Sequence, residues 1–262
     1  MKIKLFIILI LILPANLSGQ GDIDNSEKIF YRNERTFGFL LNSNGIGTNF
    51  RYAKRIDAFR KTLYELELNY VKHPKEIRIS SDINRNYIFG KKNSVVTLKA
   101  ATGYQKELFQ KRDRGGISIR YFINGGISAA ILKPVYYEYY DIFNDEFSFK
   151  KFDKHQYENI VGRAPFTKGF DEIKVSPGLF GKVGFCFEYS RVDEVFKALE
   201  AGVGLDAYAI KVPIMDVPQE RILFILPDNY FILTLFLSYR FGKVIDMKRN
   251  PGRSKIDKLI ID

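Results

Sequence analysis

The stretch Asn229–Gly242 reads NYFILTLFLSYRFG and divides its residues between two faces at a spacing of two. One face carries only large apolar or aromatic side chains: Phe231, Leu233, Leu235, Leu237, Tyr239 and Phe241. The opposite face mixes polar and apolar side chains: Tyr230, Ile232, Thr234, Phe236, Ser238 and Arg240. Strands of soluble proteins are usually about 5–6 residues long, whereas a tilted strand that crosses a bilayer needs about 9–11. The stretch therefore predicts the closing strand of an outer-membrane β-barrel.

Seven further segments show the same alternation and are predicted to complete the barrel. They are Arg35–Asn42, Ile46–Arg55, Lys61–Val71, Ser94–Tyr104, Gly116–Leu132, Leu179–Ser190 and Phe196–Ile210. The sequence Ser43-Asn44-Gly45 predicts a tight hairpin turn, because Asn-Gly tolerates positive φ. The predicted fold is all-β, an eight-stranded antiparallel transmembrane β-barrel with long outer loops that occupies residues 34–242.

The lengths of the connections predict how the barrel is oriented. The links 56–60 and 191–195 are short, whereas the links 72–93, 133–178 and 211–228 are long. Outer-membrane barrels have short periplasmic turns and longer outer loops, so both termini are expected in the periplasm. A secreted soluble barrel of the lipocalin type also has eight strands, and it is the alternative fold.

The two ends of the chain have their own composition. Residues 1–20 are typical of a signal peptide, with two lysines, the apolar run Leu5–Leu13 and small residues at a cleavage site. The apolar run is too short for a membrane helix, and the absence of a cysteine at the cleavage site excludes a lipoprotein. Residues 21–33 are predicted to be a periplasmic leader. Residues 243–262 are predicted to be a basic periplasmic tail that docks on a partner or is disordered.

The net charge limits the class of partner. The formal charge is +11, and loss of Lys2 and Lys4 with the signal peptide leaves +9. A basic protein can bind nucleic acid or an anionic membrane surface, and export argues against nucleic acid. The link 72–93 is rich in Lys and Arg, which bind phosphate groups. The expected partners are therefore outer-membrane lipid and lipopolysaccharide, together with a periplasmic or outer-membrane protein; a solvated basic loop is the alternative.

The face opposite the apolar one carries charges of both signs on seven of the predicted strands. They are Arg51, Glu65, Glu67, Lys99, Arg120, Lys182, Glu188, Glu200, Asp206 and Arg240. Eight strands enclose an interior only wide enough for side chains, and an unpaired buried charge costs several kcal/mol. Five basic and five acidic residues therefore predict a packed, structural ion-pair network in the lumen, and not a general diffusion pore. Acid–base catalysis by the pair Glu65 and Glu67 is the alternative.

No pattern in the sequence predicts a cofactor, a metal or an established catalytic motif. The candidate nucleophile–base pair of a lipid-modifying barrel enzyme is His73 with Ser80 or Ser81. The second histidine, His155, lies in a different loop, and Asp141–Asp145 lacks the closing carboxylate of a calcium loop. The tyrosine-rich link 133–178 is predicted to be a binding surface or a lid that extends the barrel.

Several motifs carry a resemblance to a known family. The signal, the alternating strands and the closing Leu237-Ser-Tyr-Arg-Phe241 resemble the small outer-membrane barrels of Bacteroidota. The motifs His73–Glu76, Gly162–Gly169 and Asp171–Lys174 resemble a group of uncharacterised members of that family. The resemblance implies an outer-membrane location and a barrel fold, and it implies no catalytic residue. The expected function is non-enzymatic, structural or partner-binding; the alternatives are an accessory barrel of a secretion or barrel-assembly machine and a lipid-modifying enzyme.

Overall fold

A computed structural model describes residues 32–74, 76–80, 86–111, 115–141, 146–153, 159–192, 194–216 and 230–246. The strands are β1 (Arg32–Asn42), β2 (Gly45–Arg55), β3 (Arg60–Val71), β4 (Arg78–Ser80), β5 (Asn86–Ile88), β6 (Asn93–Phe109), β7 (Ser118–Pro134), β8 (Tyr136–Asp141), β9 (Glu146–Lys151), β10 (Ile160–Arg163), β11 (Lys174–Glu188), β12 (Val195–Tyr208) and β13 (Phe231–Asp246). None of the described residues belongs to a helix with the length and apolarity needed to cross a membrane.

Eight of these strands form a closed barrel in the order β1-β13-β12-β11-β7-β6-β3-β2. Every neighbouring pair is antiparallel, and the barrel closes where β1 pairs with β13 from Arg32↔Asp246 to Asn42↔Phe236. The predicted all-β fold with an eight-stranded antiparallel barrel is therefore confirmed.

Several strands extend beyond their predicted bounds. β6 continues past Tyr104 to Phe109, which pairs with Ile119 of β7. β11 begins at Lys174, which pairs with Leu132. The added residues are polar or mixed, so the apolar alternation that predicted the strands fades before the backbone pairing ends. The barrel strands also include Arg32 and Asn33 at one end and residues 243–246 at the other.

The long connections all lie at one end of the barrel, together with the tight turn at 43–44, and the shorter connections lie at the other end. Residues 56–59, 110–117 and 189–194 join strands at one end, which we call the short-turn rim. Residues 43–44, 72–92, 135–173 and 209–230 join strands at the other end, the long-loop rim. The tight turn at 43–44 needs its glycine: Gly45 has φ of 145°, and a Cβ there would lie 2.0 Å from the carbonyl oxygen of Tyr70.

Two small sheets stand on the long-loop rim. β8 is the central strand of a three-stranded sheet with β9 and β10, and β4 pairs with β5. The tyrosine-rich segment therefore forms a strand, since the alternate residues Tyr137 and Tyr139 are buried against Val135 and Ile160. β8 follows β7 after a single residue, so this sheet prolongs the barrel wall.

The chain after β12 folds back over the barrel mouth, a feature that the sequence did not predict. We call residues 209–216 the capping segment. Val212 and Ile214 are 1% and 3% exposed and join an apolar cluster with Val71, Val95 and Leu132. The carbonyl oxygen of Ile214 accepts the amide N–H groups of residues 92 and 93 at 2.9 and 3.2 Å. The capping segment thus covers apolar residues at the ends of β3, β6 and β7 on the long-loop rim.

Replacing Ile214 by aspartate is expected to detach the capping segment, because a carboxylate buried among aliphatic groups has no partner there. The backbone amides of Lys92 and Asn93, which donate to Ile214, should then exchange with deuterium about tenfold faster or more. Hydrogen-exchange mass spectrometry measures this rate. Ile210→Asp is the matched control, since Ile210 is 57% exposed. Equal exchange in both variants would contradict the assignment of residues 209–216 as a cap.

Candidate functional site

The ten charged residues expected in the lumen all point inward and are buried. Their exposed fractions run from 0% for Glu200 to 9% for Glu188. Two further charged residues, Glu34 and Lys61, join them at 5% and 4% exposure. The buried interior of the described barrel strands therefore contains six basic and six acidic side chains, so its formal charge is zero.

Glu200 lies at the centre of the first group of ion pairs. Its carboxylate is 2.6 Å from Nη1 of Arg51 and 3.0 Å from Nε of Arg240. Arg51 also reaches Glu65, with 2.6 Å between Nε and Oε2. Asn49 donates a further hydrogen bond to Glu65 at 2.8 Å. Two arginines thus share one carboxylate, which is out of contact with water.

The same group continues through two lysines. Lys182 Nζ is 2.8 Å from Glu65 and 2.6 Å from Glu67. Lys99 Nζ is 2.7 Å from Asp206 and 3.6 Å from Glu67. The result is one chain of alternating charge, which we call the central network: Arg240, Glu200, Arg51, Glu65, Lys182, Glu67, Lys99 and Asp206. Glu65 and Glu67 each contact two or more cations, an arrangement that fits ion pairing.

A second group of charges lies toward the short-turn rim. Arg120 contacts Glu34 at 3.1 Å and also pairs with Glu188. Lys61 pairs with Glu34, and Lys111 lies 2.8 Å from Glu188. We call these five residues the short-turn network. Glu34 and Lys61 were missed from the sequence. Lys61 lies four residues before Glu65 and therefore shares its face, whereas Glu34 lies one residue before the predicted start of the first strand at Arg35.

An apolar cluster packs against both networks. Phe122, Phe196, Cys186 and Leu63 are 2% exposed or less. The Arg51 guanidinium lies 4.7 Å from the Phe122 ring centroid, and that of Arg120 lies 5.6 Å from the Phe196 centroid. Among the described residues, no ion pair joins the two networks directly.

A small cavity lies inside the described part of the lumen. A cavity of about 20 Å³ lies beside the central network, next to Glu67, Lys99, Lys182 and Asp206. A cavity needs about 10–15 Å³ to hold one water molecule. This one therefore has room for a single water and lacks the width of an aqueous channel.

The outside of the barrel carries the apolar face. Large apolar side chains exposed there include Phe39 and Leu41 of β1, Leu66 of β3, Ile127 of β7 and Leu179 of β11, at 56–66%. Toward the short-turn rim the outward positions include six tyrosines, which we call the tyrosine girdle: Tyr52, Tyr64, Tyr104, Tyr121, Tyr189 and Tyr239. Two members of the tyrosine girdle lie side by side, since the Tyr52 and Tyr64 ring centroids are 6.5 Å apart.

A basic pocket of about 330 Å³ opens on the long-loop rim. Its lining includes Tyr70, Lys72, His73, Arg78, Lys91, Arg163 and the carboxylate of Glu76. We call it the rim pocket. The link 72–92 and the sheet of β8, β9 and β10 thus meet around one cavity. The spacing of residues along the chain gave no signal for this cavity.

The candidate catalytic pair does not gather in the described part of the chain. His73 lines the rim pocket, whereas Ser80 is exposed in β4, opposite Asn86, and is not in that lining. Ser81, His155 and residues 142–145 lie outside the described residues. Within the described ranges, no group of three or more His, Cys, Asp or Glu side chains is arranged to hold a metal ion.

Beside the rim pocket, an exposed cluster ties the link before β11 to the tyrosine-rich sheet. Glu172 pairs with Lys151 and accepts a hydrogen bond of 2.6 Å from the Tyr136 hydroxyl. These contacts, first that of Lys151 and then that of Tyr136, lower the pKa of the Glu172 carboxyl. Within the sheet, burial raises the pKa of Tyr137.

Comparison with known proteins yields structural matches only. No family model matches the chain, and no curated protein sequence matches it. Neisserial surface protein A has a similar solved structure, with a TM-score of 0.38 and 9% identity over 83% of this chain and 97% of that one. The Yersinia pestis attachment invasion locus protein Ail, solved with the heparin analogue sucrose octasulfate, has a TM-score of 0.38 and 6% identity over 82% and 99%. The described residues of this chain themselves form a closed eight-stranded antiparallel barrel.

Proposed function

We propose that this chain is a non-enzymatic outer-membrane barrel whose closed lumen makes it a rigid anchor, and that it presents its long-loop rim to an envelope partner. The observation that carries the proposal is the charge-balanced ion-pair network inside a barrel with an apolar exterior. A soluble barrel would place its charged face in water. In this chain the charged side chains are buried and the apolar face is exposed.

The height of the apolar exterior supports a membrane-spanning placement. On β11 the outward residues from Val175 to Phe187 include Leu179, Val183 and Phe185. At about 3.3 Å per residue and a tilt near 40°, this run rises by about 30 Å, which exceeds the band of about 25 Å found on outer-membrane barrels. Aromatic residues gather at the membrane–water interfaces of such barrels, which is where the tyrosine girdle would lie.

The ion pairs support a structural role for the lumen. Removing a charge from water costs several kcal/mol, and this cost is recovered only when partners and hydrogen bonds are well placed. Each of the ten predicted charges has a partner within 4.0 Å. A network of this kind fixes eight strands relative to one another and blocks passage of solutes.

The proposed partners lie at the two ends of the barrel. The basic long-loop rim suits the phosphates of outer-membrane lipid and lipopolysaccharide. The predicted signal peptide, the leader up to residue 31 and the tail beyond Asp246 lie outside the described residues. Docking of the tail on a periplasmic or outer-membrane protein, including a secretion or assembly machine, therefore stays a prediction from the sequence.

Electrical recording tests the closed lumen. The full chain, reconstituted in planar bilayers at low salt, is expected to show no steady open-channel current. Insertion is verified on the same preparation by flotation of the protein with lipid vesicles and by its shifted mobility on unheated gels. A porin of the general-diffusion type, treated identically, supplies the positive control. Sustained conductance by the inserted protein would refute the proposal.

A further inference from the structure

We propose that the rim pocket binds a phosphate group, carried by a phosphorylated sugar of about one residue in size. The pocket lies between the end of β3, the β4–β5 hairpin, the start of β6 and the sheet of β8 and β10. Its volume of about 330 Å³ is at the lower end of the range for small-ligand sites. The lipid source of such a phosphate rests on the membrane placement proposed above.

The floor of the rim pocket is fixed by buried hydrogen bonds. Lys91 is 3% exposed, and its Nζ donates to Glu76 at 2.7 Å and to the Tyr70 hydroxyl at 3.1 Å. Tyr137 is fully buried. Its hydroxyl accepts the Lys91 amide at 2.9 Å and donates to the carbonyl oxygen of Ile88 at 2.6 Å. The Glu76 carboxylate is thereby neutralised by Lys91.

The walls of the rim pocket carry a surplus of positive charge. Lys72, Arg78 and Arg163 are exposed, and none of them is paired with a carboxylate in the described part of the chain. Among the described lining residues, four cations against one carboxylate leave a formal charge of +3, with histidine counted as neutral. Positive side chains that face one cavity without acidic partners repel each other. A bound anion would reduce this repulsion, so the pocket favours an anionic ligand.

The chemistry of the walls favours phosphate over a carboxylate ligand. A phosphate monoester carries about −1.5 to −2 charges near pH 7 and three strong acceptor oxygens. Two arginines supply planar donor pairs that match these oxygens, and a lysine adds a point charge. The phosphate can come from a glycolipid headgroup of the outer leaflet or from a free sugar phosphate, and both present the same group.

The test uses the full-length folded barrel in detergent. Binding of inorganic phosphate and glucose 1-phosphate is measured by titration calorimetry, and binding of lipid A and of chemically dephosphorylated lipid A by native mass spectrometry. The pocket variant combines Arg78→Gln with Arg163→Gln. The control combines Lys150→Gln with Lys174→Gln, which removes the same charge from exposed positions of β9 and β11 that are outside the pocket lining.

We expect saturable binding by the native chain, a loss of about tenfold or more in the pocket variant and little change in the control. Tighter binding of lipid A than of glucose 1-phosphate would identify a glycolipid headgroup as the source of the phosphate. Equal affinities for these two ligands would identify a free sugar phosphate as the source. No saturable binding of any phosphate probe, or an equal loss in both variants, would overturn the proposal. A folded, non-conducting barrel without phosphate binding would refute the pocket alone, whereas a conducting barrel that binds phosphate would refute only the closed lumen.

Discussion

Replacing Glu200 by glutamine is expected to lower the free energy of unfolding of the barrel by about 3–5 kcal/mol, the cost of breaking a buried ion pair from one side. Glu200 is fully buried and accepts hydrogen bonds from Arg51 and Arg240. Glutamine has nearly the same shape and no charge, so the two guanidinium groups would share only the remaining carboxylate of Glu65. Urea titration in detergent, followed by mobility on unheated gels, measures the change.

Two further variants separate charge loss from a general effect of glutamine. Glu172→Gln breaks an ion pair with Lys151 whose side chains are 38% and 56% exposed, and it should leave the free energy of unfolding nearly unchanged, because water and salt screen an exposed pair. The double variant Glu200→Met with Arg240→Met should lose less than the sum of the two single variants, because it removes a charge of each sign. If Glu200→Gln were tolerated as well as Glu172→Gln, the lumen ion pairs would not be what stabilises the barrel.

Replacing Val183 by arginine is expected to destabilise the barrel in a bilayer by about 2–4 kcal/mol, the cost of a cation near the bilayer midplane on the lipid face of a barrel. Val183 is 48% exposed, and its cross-strand neighbours are Val203 and Ile123, both apolar and outward-facing. Reversible unfolding from phospholipid vesicles in denaturant measures the difference. A barrel with this face in water would tolerate the arginine.

The matched control for Val183→Arg places an arginine at a different depth in the membrane. Arginine in place of Val195 lies at the short-turn end of β12, opposite Lys243, where a charge reaches the interface and should cost about 0–1 kcal/mol. Val183→Ala removes the valine without adding charge and sets the baseline. Equal costs for the two arginine variants would show that the apolar exterior does not lie in hydrocarbon, and the membrane placement would fail.

The alternation of apolar and polar side chains along the sequence predicted most of the fold. On β13 a spacing of two sorted Leu235 outward and Arg240 inward, because successive residues of a strand face opposite sides. The same rule assigned the ten lumen charges to one face, and the structure buries all of them. Their pairing partners did not follow from the sequence, since the stagger between strands decides which residues meet across the lumen.

Features made by segments far apart in sequence were not predicted. The alternation along the chain gives no sign of the capping segment, because Val212 and Ile214 bury their side chains against the ends of several barrel strands, among them β3, β6, β7 and β13. The rim pocket joins Lys72 to Arg163 across two loop sheets, and no local pattern encodes that meeting. The resemblance to small barrels of Bacteroidota likewise stays a prediction, since no family model matches.

The central network also dictates how the molecule assembles. Arg51 and Glu200 are separated by 149 residues, and Lys99 and Asp206 by 107. Such distant partners meet only after the intervening chain is in place, and their high contact order makes the final step slow and cooperative. A partial barrel would carry charged side chains without their ion-pair partners on its concave side. Loss of a single hairpin would therefore leave buried charges on the remaining strands without their partners, which costs several kcal/mol for each charge.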